Sequence, residues 1–150
     1  MSEVSTIKAG IKTRVASVLG GTYSELPHTI DIEKNNLRAN SLGYGVLAGP
    51  LLQDESFGVI RAYSVSQSFT IKITDTFNTK PTEDADRTQT LDDLMDKALD
   101  IHKDLINTRA GTAGLVIHVT DLELEEPEVF EKSNVAVIIM NVTIKYRKAL

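Results

Sequence analysis

Two stretches of strict alternation constrain this chain more than anything else in it. Tyr63, Val65, Phe69, Ile71 and Ile73 share one parity, while Ser64, Ser66, Ser68, Thr70 and Lys72 take the other. A period of two predicts a long strand with one core face and one polar face. The run from Asn134 to Tyr146 repeats the pattern, with Ala136, Ile138, Met140, Val142, Ile144 and Tyr146 on one face. Its first half, Val135 to Asn141, is apolar on both faces, as in an interior strand of a sheet covered on both sides. Any fold for this chain must give these strands an apolar layer to face.

Two helices are expected to supply that layer. Val4, Ile7, Ile11, Val15 and Val18 recur at spacings of three and four, which predicts an amphipathic helix over about Ser5–Leu19, stopped by Gly20-Gly21. Gly10 inside it either weakens the helix by roughly 1 kcal/mol relative to Ala or marks a close packing contact. The second helix is predicted from Thr90, where Thr90 with Asp93 resembles a capping box. Asp92, Asp93 and Asp96 then lie near the positive end of its dipole. Leu91, Leu94, Met95, Ala98, Leu99, Ile101, His102, Leu105 and Ile106 form a broad apolar stripe, and Asn107 to Gly111 closes it.

Between these elements the pattern is less regular. Thr29–Glu33 alternates as a short strand does. Residues 34–58 show no clear period and read as a long loop, yet one that carries Leu37, Leu42, Tyr44, Val46, Leu47, Leu51, Leu52 and Phe57. Long aperiodic segments are uncommon in compact domains and tend to be functional. This one is too apolar for a solvated linker, so it is expected to cover the core or meet another subunit. Residues 74–88 are polar and acidic and read as a mobile loop. Leu115, Ile117 and Val119 start another strand, and an acidic connector follows over Glu123–Glu131 with Pro127. The order α, β, loop, β, loop, α, β, β predicts an α+β fold: a mostly antiparallel sheet packed by two helices, in a single domain over 1–150 with long loops at 34–58 and 74–88. A length of 150 residues with 41% hydrophobic and 25% charged residues suits one soluble globular domain.

The same residues narrow the chemistry. There are no cysteines, which removes disulfides, thiolate metal sites and thiol nucleophiles together. No apolar run approaches the ~18 residues of a membrane span, and the N-terminus lacks the basic region of a secretory signal. The expectation is a protein folded in a cytoplasm, with no membrane partner. A net charge of −5, with its basic residues scattered, disfavours nucleic-acid readout through phosphates. Lys145, Arg147 and Lys148 form a basic end that reads as a solubilising tail in the first place and as a surface for an acidic partner in the second. Arg38 and Arg61 are the other notable cations.

No catalytic or metal motif emerges. His28, His102 and His118 have neither metal-ligand spacing nor acidic neighbours in sequence, so structural or surface roles are expected and no metal is assigned. Asp121, Glu123, Glu125, Glu126, Glu128 and Glu131 lack the order of a calcium loop and read as solvated. An acidic surface of this kind repels DNA, an advantage where DNA must slide past without sticking. The glycine pairs at Gly43-Tyr44-Gly45, Gly49-Pro50 and Gly111–Gly114 match no phosphate cradle, and no nucleophile elbow exists. Neither a catalytic residue nor a cofactor is expected.

Taken in order along the chain, these elements resemble the tail terminator, or tail completion, proteins of long-tailed bacteriophages. The likeness rests on the N-terminal amphipathic helix, Leu42-Gly43-Tyr44-Gly45-Val46 and the strand Arg61–Ile71 leading to an acidic loop at Asp75. It continues through the helix Leu91–Leu99, the turn Leu122-Glu123-Leu124-Glu125-Glu126-Pro127 and the closing strand Val137–Arg147. The resemblance implies a structural protein without catalysis. Such proteins form a homo-hexameric ring on the head-proximal end of the tail tube, stop its polymerisation and present a surface for the head–tail connector or neck protein. DNA passes through the central channel in transit only, with no sequence-specific binding, and the protein resides in the virion tail after assembly in the host cytoplasm.

A ring is a closed set of heterologous contacts. On this reading Leu42, Tyr44, Val46, Leu47, Leu51 and Leu52 are the subunit-interface candidates. Phe77, Asn78, Lys80, Glu83 and Asp84 are the candidates for reaching tube or connector. A tube subunit or a connector protein is the alternative within the same assembly. A small α+β enzyme or ligand-binding module is the alternative outside it, and it would need His102 or His118 in a polar pocket.

Overall fold

The computed structural model describes residues 2–25, 43–56, 62–76, 84–112, 114–130 and 135–149. Helix α1 spans Glu3–Leu19, and Ser2 caps it by accepting a hydrogen bond from the Ser5 amide. Gly20, at φ +90°, ends it as expected of a residue free to adopt positive φ. Strand β1 covers Ser24–Glu25, β2 Gly43–Ser56 and β3 Ala62–Thr76. Helix α2 follows over Asp84–Thr108, then β4 over Val116–Leu124, β5 over Glu128–Phe130 and β6 over Val135–Ala149. The result is an α+β domain with two helices and a mixed, mostly antiparallel sheet of six strands.

The sheet order is β1-β2-β3-β6-β4, with β5 also paired to β6. β4 and β5 run along the same side of β6, opposite residues 140–146 and 135–137 respectively. They behave as one edge strand interrupted at Glu125–Pro127, where the Glu125 amide still donates to the Ile139 carbonyl. Cross-strand partners in an antiparallel pair share a face, so register assigns the faces. Tyr44, Ile73 and Ile138 form one row, and Val46, Ile71 and Met140 the next. Both rows face the helices. The side chains of Ile7, Ile11 and Val15 from α1 and Leu94, Ala98, Ile101 and Leu105 from α2 close the core over them.

The alternation of β3 and β6 is thus confirmed. Val135 and Val137 are buried as well, on the face away from the helices, in a small separate cluster with Ile139. That accounts for the two-faced apolarity of the first half of β6.

Several expectations are corrected. Residues 43–56 are not loop: they form β2, hydrogen-bonded to β3 along its length. Bulges between Ala48 and Leu51 and between Gln53 and Glu55 shift the side-chain parity, which hid the period. β3 runs on to Thr76 and α2 begins at Asp84, so the expected 74–88 loop is shortened from both ends. Thr90 lies inside α2, six residues past its start, and Asp93 accepts a hydrogen bond from Gln89, one turn earlier. Among the described side chains of β4, Val116 and Val119 are buried, a bulge falls between Val116 and His118, and Leu115, just before the strand, is half-buried; the expected Ile117 side chain lies outside the described residues. β5 emerges from what read as acidic connector. The predicted strand Thr29–Glu33 lies outside the described residues.

One close contact ties α1 to the turn that follows α2. After α2 the chain makes a left-handed turn, with φ of +50°, +54° and +71° at Arg109, Ala110 and Gly111. The Ala110 side chain is buried. Its carbonyl packs against Gly10 of α1, where a Cβ would stand only 2.3 Å away. Of the two readings of Gly10, close packing is the one realised.

Candidate functional site: surfaces at the edges of the fold

The helical layer is clamped by charge. Arg14 of α1 grips Asp104 of α2 with two hydrogen bonds, Nε to Oδ2 at 2.8 Å and Nη2 to Oδ1 at 2.7 Å. This pairing raises the Arg14 pKa above its already high ordinary value. Nearby, the Tyr23 hydroxyl donates to Asp75 at 2.8 Å, and the Lys97 ammonium lies 5.7 Å from the Tyr23 ring centroid. Burial first, then the hydrogen bond to Asp75 and the charges of Asp75 and Asp93, push the Tyr23 phenol well above its usual range. Inside the sheet the Tyr146 hydroxyl donates to Gln67 at 2.8 Å, and Gln67 donates to the Gly49 carbonyl at 3.1 Å. That relay joins β6, β3 and β2 through a core that is otherwise apolar. These networks hold elements together, and each has a structural explanation.

The expected interface residues are divided by the structure. Tyr44 and Val46 are buried on the helix side of β2 and belong to the chain's own core, so they offer no surface to a neighbour. Their parity, opposite Ile73 and Ile71, is the cause. Leu47 points to the other face and is 41% exposed. Leu51 and Leu52 lie on β2 opposite Gln67 and Ser66. Leu42 is outside the described residues, as are the tube-contact candidates Phe77, Asn78, Lys80 and Glu83. Asp84 is the first residue of α2.

Histidine chemistry gathers no partners. His118 is exposed on β4, His28 is outside the described residues, and the buried Nε2 of half-buried His102 has no hydrogen-bond partner. Among the described residues, no group of three His, Cys, Asp or Glu side chains is placed to hold a metal ion. Asp121, Glu123, Glu125, Glu126 and Glu128 are exposed, as a solvated connector would be. Glu131, Arg38 and Arg61 lie outside the described residues. Among the described residues, no helix is long and apolar enough to cross a membrane.

Sequence reasoning missed the surface that the structure brings forward. Leu99 and Ile106 were expected in the core-facing stripe of the second helix, but they are 51% and 45% exposed. α2 lies over β6, β4 and β3, and α1 over β2. With about 100° of turn per residue, Leu91, Met95, Leu99, His102 and Ile106 occupy the flank of α2 opposite Asp104 and Lys97. They face away from α1. The one signal for this was the width of the stripe, greater than a single core-facing seam requires.

Among the described residues of this α+β domain, the large apolar side chains left exposed are Leu47, Leu99, Ile106 and Val129. No protein-family model matches it, and no curated protein matches it either.

Proposed function

We propose that this chain is a structural virion protein that caps the head-proximal end of a phage tail tube as a homo-hexameric ring. In this reading it stops tube polymerisation, presents the surface for the connector or neck protein, and lets DNA pass through its centre. The carrying observation is the placement of large exposed apolar side chains at opposite edges of the domain. Leu47 is on β2 at one side, and Leu99 and Ile106 are on the outer flank of α2 at the other. A chain whose two unlike edges each need cover is suited to head-to-tail contacts, and such contacts close into rings or run on as tubes. The exposed carboxylates of Asp121, Glu123, Glu125 and Glu126 suit a protein past which DNA must travel without binding. The order of elements also supports the resemblance on which the reading rests.

A tube subunit would share these contacts but repeat them axially, so imaging separates the two. Negative-stain electron microscopy of the full chain, alone and with the tail tube protein of its own assembly, is the test. Closed rings, and tubes whose growth halts when the chain is added, support the cap. Long tubes of the chain itself make it a tube subunit. Unchanged tube growth in its presence overturns the cap. Replacing residues 78–83 with a short glycine-serine linker should leave folding intact and abolish head joining. Normal joining by that variant would remove the 77–83 segment from the contact.

A further inference from the structure

Helix α2 carries two apolar seams, one residue out of step. Leu94, Ala98, Ile101 and Leu105 recur at intervals of four, three and four, and all of them are fully buried in the core. Met95, Leu99, His102 and Ile106 repeat the same intervals. This is the spacing by which one helix packs along another. The first seam has its neighbours in the sheet and α1. The second faces away from α1, and its outer part, Leu99 and Ile106, stays exposed.

The charges along the rim of the second seam are ordered. Asp92 and Asp96 stand on its N-terminal half and Lys103 on its C-terminal half, all exposed. Among the described residues, none of the three has an ion-pair partner within the chain. Asp93, Lys97 and Asp100 lie farther round the helix, toward α1 or solvent, and Asp104 is held by Arg14.

We infer that the occupant of the second seam is the α2 of a second copy of this chain, lying antiparallel across a two-fold axis near Leu99 and Asp100. Met95 of each copy then packs against Ile106 of the other, and Leu99 against His102. Each Asp96 faces the other copy's Lys103, and each Asp92 reaches the other copy's exposed Asn107. A parallel pairing would instead set Asp96 against Asp96 and Lys103 against Lys103. The rim's own order of charge thus selects the antiparallel arrangement, since rim charges act mainly by fixing register and excluding wrong pairings.

The β4 edge beneath the flank allows this approach. The Val116 amide donates to the Thr112 carbonyl, so β4 starts where α2 ends and runs back against it. Its exposed Asp121 and Glu123 therefore lie toward the N-terminal half of α2. The two-fold axis sets them against the Val116–His118 end of the other copy's β4 and keeps the two acidic ends apart. A two-fold contact closes at two copies. The inference goes beyond the cap and does not rest on it: the dimer is the free form of the chain, and its copies part when the flank is taken up in a ring. A contact of one helix on another is small, which suits a pair that must separate.

The test measures the mass of the full chain by sedimentation equilibrium in low salt, from micromolar to millimolar concentration, with circular dichroism checking the fold of each variant. The wild type is expected to be a dimer, and Leu99→Asp with Ile106→Asp a monomer. Asp96→Lys and Lys103→Asp each set like charges opposite one another twice per dimer and should weaken it roughly tenfold. The two changes together in one chain should restore it. So should an equal mixture of the two single variants, because every pair across the axis is again of opposite sign. A double variant and a mixture no tighter than the singles overturn the inference, as does a wild type that is monomeric throughout. Closed rings that survive Leu99→Asp with Ile106→Asp overturn it while leaving the cap standing. A dimer that obeys the charge exchange but leaves tube growth unchanged upholds it and overturns the cap. Should the apolar variant misfold, the charge variants, both at exposed positions, decide alone.

Discussion

The carbonyl oxygen of Ala110 occupies the space that a side chain at Gly10 would need, 2.3 Å from where its Cβ would stand. Backbone on one side and a helix on the other leave little freedom to relax. In an exposed helix, Gly to Ala gains about 1 kcal/mol. Here the overlap, costing roughly 1–3 kcal/mol, opposes that gain. Gly10→Ala should lower stability by up to about 2 kcal/mol in urea unfolding, the reverse of the propensity rule; a more stable variant would mean that the turn at Arg109–Gly111 can move away.

Arg14 and Asp104 make a two-point contact that an ammonium cannot reproduce. The pair is partly exposed, with side chains 31% and 20% accessible. Arg14→Lys should therefore cost little stability, and what it costs should shrink more in high salt than it would for a buried pair. A double-mutant cycle with Asp104→Asn measures the coupling, and a coupling of zero would reduce the contact to a bystander.

Tyr23 gives the fold a dependence on alkali. Its folded pKa lies above that of a free phenol, about 10, so folding favours the protonated form. The stabilisation is complete below about pH 10 and disappears as pH rises through the folded value. Tyr23→Phe removes this term, so its stability should fall less steeply than that of the wild type above pH 10. Parallel alkaline unfolding curves would refute the assignment. The near-ultraviolet difference titration between the two proteins should show one phenol ionising late.

Leu47 and Tyr44 are three residues apart in β2 but belong to opposite faces. Leu47→Asp should shift stability by less than about 0.5 kcal/mol while weakening any assembly that uses this edge. Tyr44→Asp places a carboxylate in the core and should cost about 3 kcal/mol or more. Equal stability losses in the two variants would contradict the register.

What could be read from the sequence follows from where periodicity survives. β3, broken only by Gln67, and the first helix carry sustained patterns, and both were legible to within a few residues. β2 was not, because Gly43, Gly45 and Gly49 contribute no side chains to the pattern and two bulges reverse its parity. The start of α2 was misplaced because its first turn, Asp84-Ala85-Asp86-Arg87, has no apolar period to announce it. Leu99 and Ile106 were visible as apolar but not as outward, since one helix's sequence does not say how many neighbours the helix has. That distinction, invisible in one dimension, moved the candidate surface from β2 to α2.

The position of β6 has a consequence for synthesis. It is the last strand in sequence, yet it lies between β3 and β4 in the sheet. A ribosome that has released everything up to Phe130 has delivered both helices and every other strand; β1, β2 and β3 can pair with one another, but β4 and β5 still lack their partner. Until β6 emerges, β3 and β4 each wait with an unfilled edge, the kind of exposure that invites wrong partners. The sheet therefore stays in two parts through most of translation and closes only around the final strand, so that truncation within Val135–Ala149 removes the sheet's keystone and not merely its tail.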